Sequence, residues 1–189
     1  MIKWFACLLL SLSAIQIHAH EYSNPYNVQV SVISEDRHFR IQASYEVPID
    51  ICAAYAFITD YEGAKNIPGI LESKVISRVQ NKVRVQRSIK EEILFFPIVM
   101  NALVEYTEAS NRLLTFKQIS GDNKFYRGSW RLSEMEDKTL FRYESVFEPD
   151  SVVPSWVIQY FMRNSIRGRF EVMAQRAAQT KFAETFSCN

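Results

Sequence analysis

The side chains best suited to chemistry in this sequence are polar groups set among apolar ones in strand-like segments. Arg87 alternates in step with Val83, Val85 and Ile89, so it shares their face of a predicted strand. A buried guanidinium needs acceptors, which are either a protein carboxylate or an anionic or carbonyl group of a ligand. The alternative is a position at the rim of the sheet, where the long side chain would extend into water.

Three tyrosines lie on similar apolar faces, and their hydroxyl groups could orient the headgroup of a ligand. Large apolar side chains share these faces and one stripe of a predicted C-terminal helix. The residues predicted to line a ligand site are Tyr45, Arg87, Tyr106, Phe116, Trp130, Tyr143, Met162, Ile166 and Phe170. For any single apolar residue the competing interpretation is plain core packing, because apolar stripes usually mark a core.

Sets of residues typical of enzymes are absent from the sequence pattern. His18, His20 and His38 all lie near the N-terminus, and no Ser–His–Asp or Cys–His set or inward-facing pair of carboxylates can be recognised. No Cys/His spacing is typical of a zinc site. We therefore assign no catalytic residue and expect neither a metal nor a cofactor. The balance of 22 Lys+Arg against 21 Asp+Glu argues against nucleic acid as a main partner.

A run of antiparallel strands followed by one long helix must position these side chains. Alternating and turn-bounded segments predict strands at residues 28–33, 39–47, 71–78, 82–91, 98–107, 113–119, 126–133 and 139–147. Asp50 is a suitable N-cap for a short helix to Ile58, and a second short helix is predicted from Asp60. Apolar residues at helical spacing predict a long amphipathic helix from Pro154 to Phe182. The predicted fold class is α+β, with a curved antiparallel sheet wrapped around this helix and a cavity between them.

The N-terminal residues 1–19 have the layout of a secretory signal peptide. A short basic start precedes an apolar run, and Ala19 could precede a cleavage point. The alternative is an uncleaved anchor, although the run is shorter than the ~20 apolar residues that a spanning helix needs. The mature protein is therefore predicted to be periplasmic or secreted. We assign residues 20–38 to an extension with an added strand, 39–183 to the main domain and 184–189 to a tail.

Cys52 and Cys188 remain once Cys7 is removed with the signal peptide, and an oxidising compartment would allow one disulfide. If the strand at 39–47 pairs antiparallel with the strand at 139–147, the long helix runs back across the sheet. Its C-terminus then arrives near the short helix that carries Cys52, so we predict a bridge between Cys52 and Cys188. The alternative is a buried free Cys52 beside a frayed tail.

Apolar side chains in loops at one end of the predicted sheet indicate an interaction surface. Strand parity places the turn at 95–97, the turn at 120–124 and the connection at 150–156 at the same end. The apolar members of these loops are Phe95, Phe96, Val152, Val153 and Trp156. We expect them to make transient contact with a membrane. In the alternative arrangement they fold inward and plug the cavity.

Several short motifs support a family resemblance that spans roughly residues 39–178. They are Glu46-Val47-Pro48-Ile49-Asp50, Ala56-Phe57-Ile58-Thr59-Asp60-Tyr61, Pro68-Gly69, Glu72-Ser73, Gly128-Ser129-Trp130-Arg131-Leu132, Thr139-Leu140, Tyr143, Pro149, Val153-Pro154 and Met162-Arg163-Asn164-Ser165-Ile166-Arg167. Together they resemble the START-like (SRPBCC) superfamily, in particular its polyketide cyclase and coenzyme Q-binding branch. The resemblance implies a helix-grip fold with a deep apolar cavity for lipids, quinones or polyketides. It implies no reaction, because the family shares few catalytic residues.

These observations favour a periplasmic or secreted carrier of a hydrophobic small molecule. One alternative is an enzyme of the cyclase or dehydratase type that uses a cavity Tyr or Glu as its acid–base group. Another is a protein-interaction module, as in toxin-like members of the same branch that engage ribosomes. The predicted secretory signal argues against the ribosome, which is cytosolic.

Overall fold

The computed structural model describes residues 23–93 and 96–179 of the 189-residue chain. The strands are β1 (Gln29–Glu35), β2 (His38–Val47), β3 (Ile70–Val79), β4 (Lys82–Ile93), β5 (Phe96–Ser110), β6 (Leu113–Gly121), β7 (Asn123–Glu134) and β8 (Thr139–Pro149). The helices are α1 (Ile51–Thr59) and α2 (Ser155–Gln179), with a short 3-10 helix at Gly63–Asn66 between α1 and β3. No helix in the described ranges is long and apolar enough to cross a membrane.

All eight strands form one antiparallel sheet in the order β1-β2-β8-β7-β6-β5-β4-β3. Strands β3 to β8 follow one another as a meander, because each pairs with its neighbour in the chain. β2 pairs antiparallel with β8, which is the condition on which the proposed Cys52–Cys188 bridge is argued. The chain therefore crosses from β2, next to one edge of the sheet, to β3 at the opposite edge through α1 and the 3-10 helix.

Strand β2 shows why these segments form a sheet with one buried face. Its odd-numbered residues from Phe39 to Val47 are all buried, while the residues between them are partly or fully exposed. This alternation places one side of each strand toward the helices and the other toward water. The predicted α+β fold class, with an antiparallel sheet and a long C-terminal helix, is confirmed.

Helix α1 begins where the sequence predicts it. The carboxylate of Asp50 accepts hydrogen bonds from the backbone N–H groups of Cys52 (2.8 Å) and Ala53 (2.9 Å), which satisfies two donors of the first turn. The second short helix was predicted from Asp60, but the 3-10 helix begins at Gly63. Asp60 instead accepts a hydrogen bond from the Gly63 N–H (2.9 Å), so its side chain closes the turn before the helix.

Helix α2 packs against β1, β2 and β4, and its buried residues include Phe170, Ala174 and Ala177. Two of its arginines cover the edge strand β1. Arg163 donates to the carbonyl oxygen of Val32 (3.3 and 3.4 Å), and Arg167 donates to that of Val28 (3.1 Å). These bonds anchor α2 along β1 and block the edge against further strand pairing.

Several predictions concern residues outside the described ranges. The predicted signal peptide at 1–19, the last turn of the predicted helix and the tail at 184–189 all belong to this group. Cys52 is disulfide-bonded. Its expected partner Cys188 lies outside the described residues, so that pairing stays a prediction. β1 falls inside the segment predicted as an extension with an added strand.

Candidate ligand cavity

A cavity of about 810 Å³ lies between the concave face of the sheet and the helices. Its walls come from β2 to β8, from α2, and from the segment that runs from α1 through the 3-10 helix. The lining is mostly apolar and aromatic, with Phe57, Met100 and Phe161 as examples from three different elements. This volume falls in the usual range for sites that enclose a small molecule.

Most of the predicted ligand residues line this cavity. They are Arg87, Tyr106, Phe116, Trp130, Tyr143, Met162, Ile166 and Phe170. They come from five strands and α2, and they meet because strand alternation points them all to the concave side. Whether each of them touches a ligand stays a prediction.

Tyr45 is the exception, because it does not line the cavity. Its ring is fully buried and stacks on Phe141 with 4.6 Å between ring centroids. Phe57 of α1 packs edge-on against Phe141, and Phe170 of α2 also approaches the Tyr45 ring. The alternating pattern correctly predicts that Tyr45 faces inward. Helix packing fills that part of the interior, so Tyr45 belongs to the core.

Arg87 lies in the cavity wall, partly buried. Its Nε and Nη2 atoms donate to the hydroxyl oxygen of Ser73 (3.3 and 3.1 Å), and that hydroxyl donates to the carbonyl oxygen of Tyr61 (2.5 Å). The guanidinium also lies 5.7 Å from the centre of the Tyr106 ring, a distance at which cation and ring attract each other. Within the described residues no carboxylate forms an ion pair with Arg87.

Two tyrosine hydroxyls meet in the cavity wall near Arg87. The Tyr126 and Tyr143 oxygens are 2.9 Å apart, so one of the two hydroxyls donates to the other. Burial raises the pKa of both phenols, while the charge of Arg87 acts in the opposite direction on both. The two side chains are therefore neutral at physiological pH and can act as hydrogen-bond donors. Alternation along the strand places Tyr126 on the same inward face as Trp130, but Tyr126 was not among the predicted ligand residues.

A half-buried ion pair closes the cavity between α2 and β4. Arg169 donates to both carboxylate oxygens of Glu91, at 2.6 and 2.8 Å. Gly69 makes room for the guanidinium, because a Cβ at this position would lie 2.2 Å from Arg169 Nη2. Gly69 also has a φ of +86°, which favours glycine. Sequence reasoning missed this contact, because nothing local in either segment indicates a partner so far along the chain.

The apolar loop residues near the mouth point outward where the structure describes them. Val152 is fully exposed, Trp156 is 73% exposed, and Tyr160 on the next turn of α2 is also exposed. Val153 is partly buried. Phe95 lies outside the described residues, and the side chain of Phe96 is not described. Val152 and Trp156 therefore do not plug the cavity.

Metal-binding groups are not apparent: residues 23–93 and 96–179 contain no group of three His, Cys, Asp or Glu residues that could hold an ion. The polar groups that line the cavity include the Arg87 guanidinium, phenol hydroxyls and the Arg169–Glu91 ion pair.

Comparison with known proteins identifies the family. Residues 47–171, about two thirds of the chain, match the family described as polyketide cyclase / dehydrase and lipid transport. The chain belongs to this family. A search of curated proteins found no match.

Solved structures with similar folds include proteins from the wider START group. The chain is similar to a START superfamily protein from Mycobacterium smegmatis, with a TM-score of 0.61, 16% identity, and coverage of 74% of this chain and 97% of that one. It is similar to a STAR-related lipid transfer protein from Xanthomonas axonopodis, with a TM-score of 0.63, 9% identity, and coverage of 79% and 92%. The Zhui aromatase/cyclase from a Streptomyces species gives a TM-score of 0.59 at 11% identity, with coverage of 79% and 99%. At these identities the likeness shows the fold alone, which is the START-like helix-grip fold.

Proposed function

We propose that this member of the polyketide cyclase and lipid transport family carries a hydrophobic small molecule in the cavity between its sheet and α2. The ligand would be a lipid, a quinone or a polyketide-like compound. The observation that supports the proposal most directly is the cavity of about 810 Å³ with its mainly apolar lining. Apolar surface that encloses such a volume is stabilised when a hydrophobic ligand displaces water from it.

We place this function in the periplasm or outside the cell. The disulfide at Cys52 supports the proposal, because stable disulfides persist mainly in oxidising compartments. The signal-like layout of residues 1–19 supports it independently. The test is the intact mass of protein isolated from its native cell envelope or medium. A mass lacking about the first 19 residues is expected, and a full-length protein in the cytosol would contradict the proposal.

Transient contact with a membrane fits a carrier of this kind. Val152 and Trp156 present exposed apolar surface beside the mouth of the cavity, where a ligand would pass between protein and bilayer. Tryptophan and tyrosine are favoured at membrane interfaces, and Tyr160 lies one helical turn from Trp156. Substitution of Val152 and Trp156 by serine is expected to slow ligand transfer between vesicles without changing affinity in solution.

The carrier function is tested by the ligand itself. Mature protein purified under native conditions is analysed by native mass spectrometry, and the bound material is extracted with organic solvent and identified. A matched Ala102→Trp variant serves as the control, because Ala102 lines the cavity and a large side chain there would occupy it. We expect an apolar ligand with the wild type and none with the variant. An empty wild type that also fails to take up apolar probes would refute the proposal.

The second candidate is an enzyme of the cyclase or dehydratase type. It is favoured by the Tyr126–Tyr143 pair, which could donate a proton or a hydrogen bond to a carbonyl oxygen inside the cavity. Turnover of a cavity ligand that is lost in Tyr126→Phe and Tyr143→Phe would support catalysis. Release of the ligand chemically unchanged would support the carrier.

A further inference from the structure

The charge of Arg87 is unmatched inside the cavity. Its contacts are the Ser73 hydroxyl and the Tyr106 ring, both of which are neutral. Ser73 is buried, and its own proton is already used by the Tyr61 carbonyl, so it serves Arg87 only as an acceptor. These bonds use Nε and Nη2, so the protons on Nη1 remain available to a further acceptor.

The carboxylates that line the cavity do not supply this acceptor. Glu91 is paired with Arg169, which leaves no net charge at that position. The other acidic lining residues are all exposed, and they are Asp60, Glu92, Asp122 and Asp150. Water screens exposed charges effectively, so these groups compensate a partly buried guanidinium only weakly.

The tyrosine pair adds one directed donor to this cation. One of the Tyr126 and Tyr143 hydroxyls donates to the other, and the buried Ser145 hydroxyl also interacts with Tyr143, so at most one phenol proton remains for a ligand. Arg87 and both tyrosines line the same cavity, and ring contacts connect them: Arg87 lies over Tyr106, Tyr106 contacts Phe116, and Phe116 contacts both Tyr126 and Tyr143. A guanidinium and a phenol hydroxyl in one cavity complement a group with two acceptor oxygens and one negative charge.

We propose that the ligand is an amphiphile with a single acidic headgroup, a carboxylate or an equivalent monoanion, bound between Arg87 and the Tyr126–Tyr143 pair. This inference rests on the proposed carrier function and specifies the class of its ligand. A neutral carbonyl would leave the charge of Arg87 uncompensated in a mainly apolar cavity, which is unfavourable. A phosphate monoester would bring a second negative charge for which this region has no matching cation.

The test compares ligands that differ only in the headgroup. A neutral fluorescent probe, N-phenyl-1-naphthylamine, is bound to the mature protein and displaced by a saturated fatty acid, its methyl ester or the corresponding alkyl phosphate. We expect the acid to compete on the order of 10- to 100-fold better than the ester, as charge-assisted hydrogen bonds would provide. The preference should disappear at a pH low enough to protonate the acid.

Matched variants test whether Arg87 causes the preference for the acid over the ester. Arg87→Met removes the charge and is expected to bring the acid down to the level of the ester. Arg87→Lys keeps the charge and should retain part of the preference. Arg127→Met is the control, because Arg127 is exposed on the outer face of the sheet and its removal changes the net charge equally. Circular dichroism checks that each variant is folded.

The outcomes separate this inference from the carrier function. A wild type that binds the probe but takes the acid and ester equally well would overturn the acidic headgroup and leave the carrier intact. The same holds if the alkyl phosphate binds best, or if Arg87→Met weakens both ligands equally. A wild type that binds neither the probe nor any competitor would refute the carrier function. The pH and ester comparisons use the wild type alone, so the inference stays testable if Arg87→Met fails to fold.

Discussion

The concave face of the sheet is packed at one end and hollow at the other, although the same strands build both. In the packed end, Tyr45 stacks on Phe141 and the buried residues Ala53 and Ala54 of α1 lie over this region. In the hollow end, two residues further along β8, Tyr143 lines the cavity. Strand alternation therefore determines which side chains point inward. The position of the helices determines whether those side chains form a packed core or line the ligand cavity.

The largest expected effect is the loss of a ring from the packed end. Phe141→Ala should lower the free energy of unfolding by about 3–5 kcal/mol, because it removes a fully buried aromatic ring and leaves a void. Met100→Ala in the hollow end should cost about 1 kcal/mol or less, because Met100 already faces open space. Urea unfolding followed by circular dichroism measures both. Equal losses would mean that the two ends are packed alike.

Substitutions at Gly128 and Ala102 test the same contrast between packed and open parts of the interior. A Cβ on Gly128 would lie 2.2 Å from the Glu144 carbonyl oxygen and 2.5 Å from the Phe116 ring, so Gly128→Ala should destabilise the fold. We expect a loss of about 1–3 kcal/mol, as overpacking usually causes. Ala102→Phe adds far more volume but points into the cavity, so it should block ligand uptake with little loss of stability. Thermal unfolding and probe titration of both variants provide the measurement.

The sequence was sufficient to predict the framework, because the framework depends on local patterns. Alternation predicts the strands, and Asp50 predicts the start of α1. Alternation also brings Arg87 and Tyr143 to one cavity. It cannot distinguish Tyr45 from Tyr143, because both face inward and the difference comes from packing of α1 and α2 against particular strands.

The sequence could not predict contacts between distant segments either, because these contacts also depend on how the elements pack. Arg169 and Glu91 are separated by 78 positions, and each looks like an ordinary charged residue in its own segment. Their pairing depends on where α2 crosses β4 and on the space that Gly69 leaves. The Tyr126–Tyr143 hydroxyl bond depends in the same way on the register of β7 against β8.

The two long sides of α2 also differ, and the Arg169–Glu91 pair offers a test with a moderate effect. On the β1 side two arginines of α2 bond to backbone carbonyls, whereas on the β4 side this ion pair joins α2 to β4 in the cavity wall. Glu91→Gln should release ligand faster, roughly five-fold for an interaction worth ~1 kcal/mol. Stopped-flow displacement of a bound probe measures the rate. An unchanged release rate would show that the ligand leaves elsewhere.

The smallest expected effect is on the outer face of the sheet, where ion pairs lower the pKa of two carboxylates. The hydrogen bond from Arg84 lowers the pKa of Glu105 below its usual value of 4.5, and the charges of Lys82 and Lys117 act in the same direction. The bond from Lys124 lowers the pKa of Glu148 in the same way.

Because the folded pKa of each group is the lower one, the unfolded chain takes up protons first as the pH falls. The stability that these carboxylates contribute is therefore complete above about pH 4.5 and is lost as the pH falls through their lowered folded values. We expect a modest decrease in the free energy of unfolding between pH 5 and pH 3, reduced in Glu105→Gln and by added salt. Urea unfolding across this range tests it. Burial raises the pKa of Tyr126 and Tyr143 above 10, so these cavity hydroxyls do not titrate in this window. A decrease that is as large in Glu105→Gln as in the wild type would show that Glu105 is not among the groups responsible.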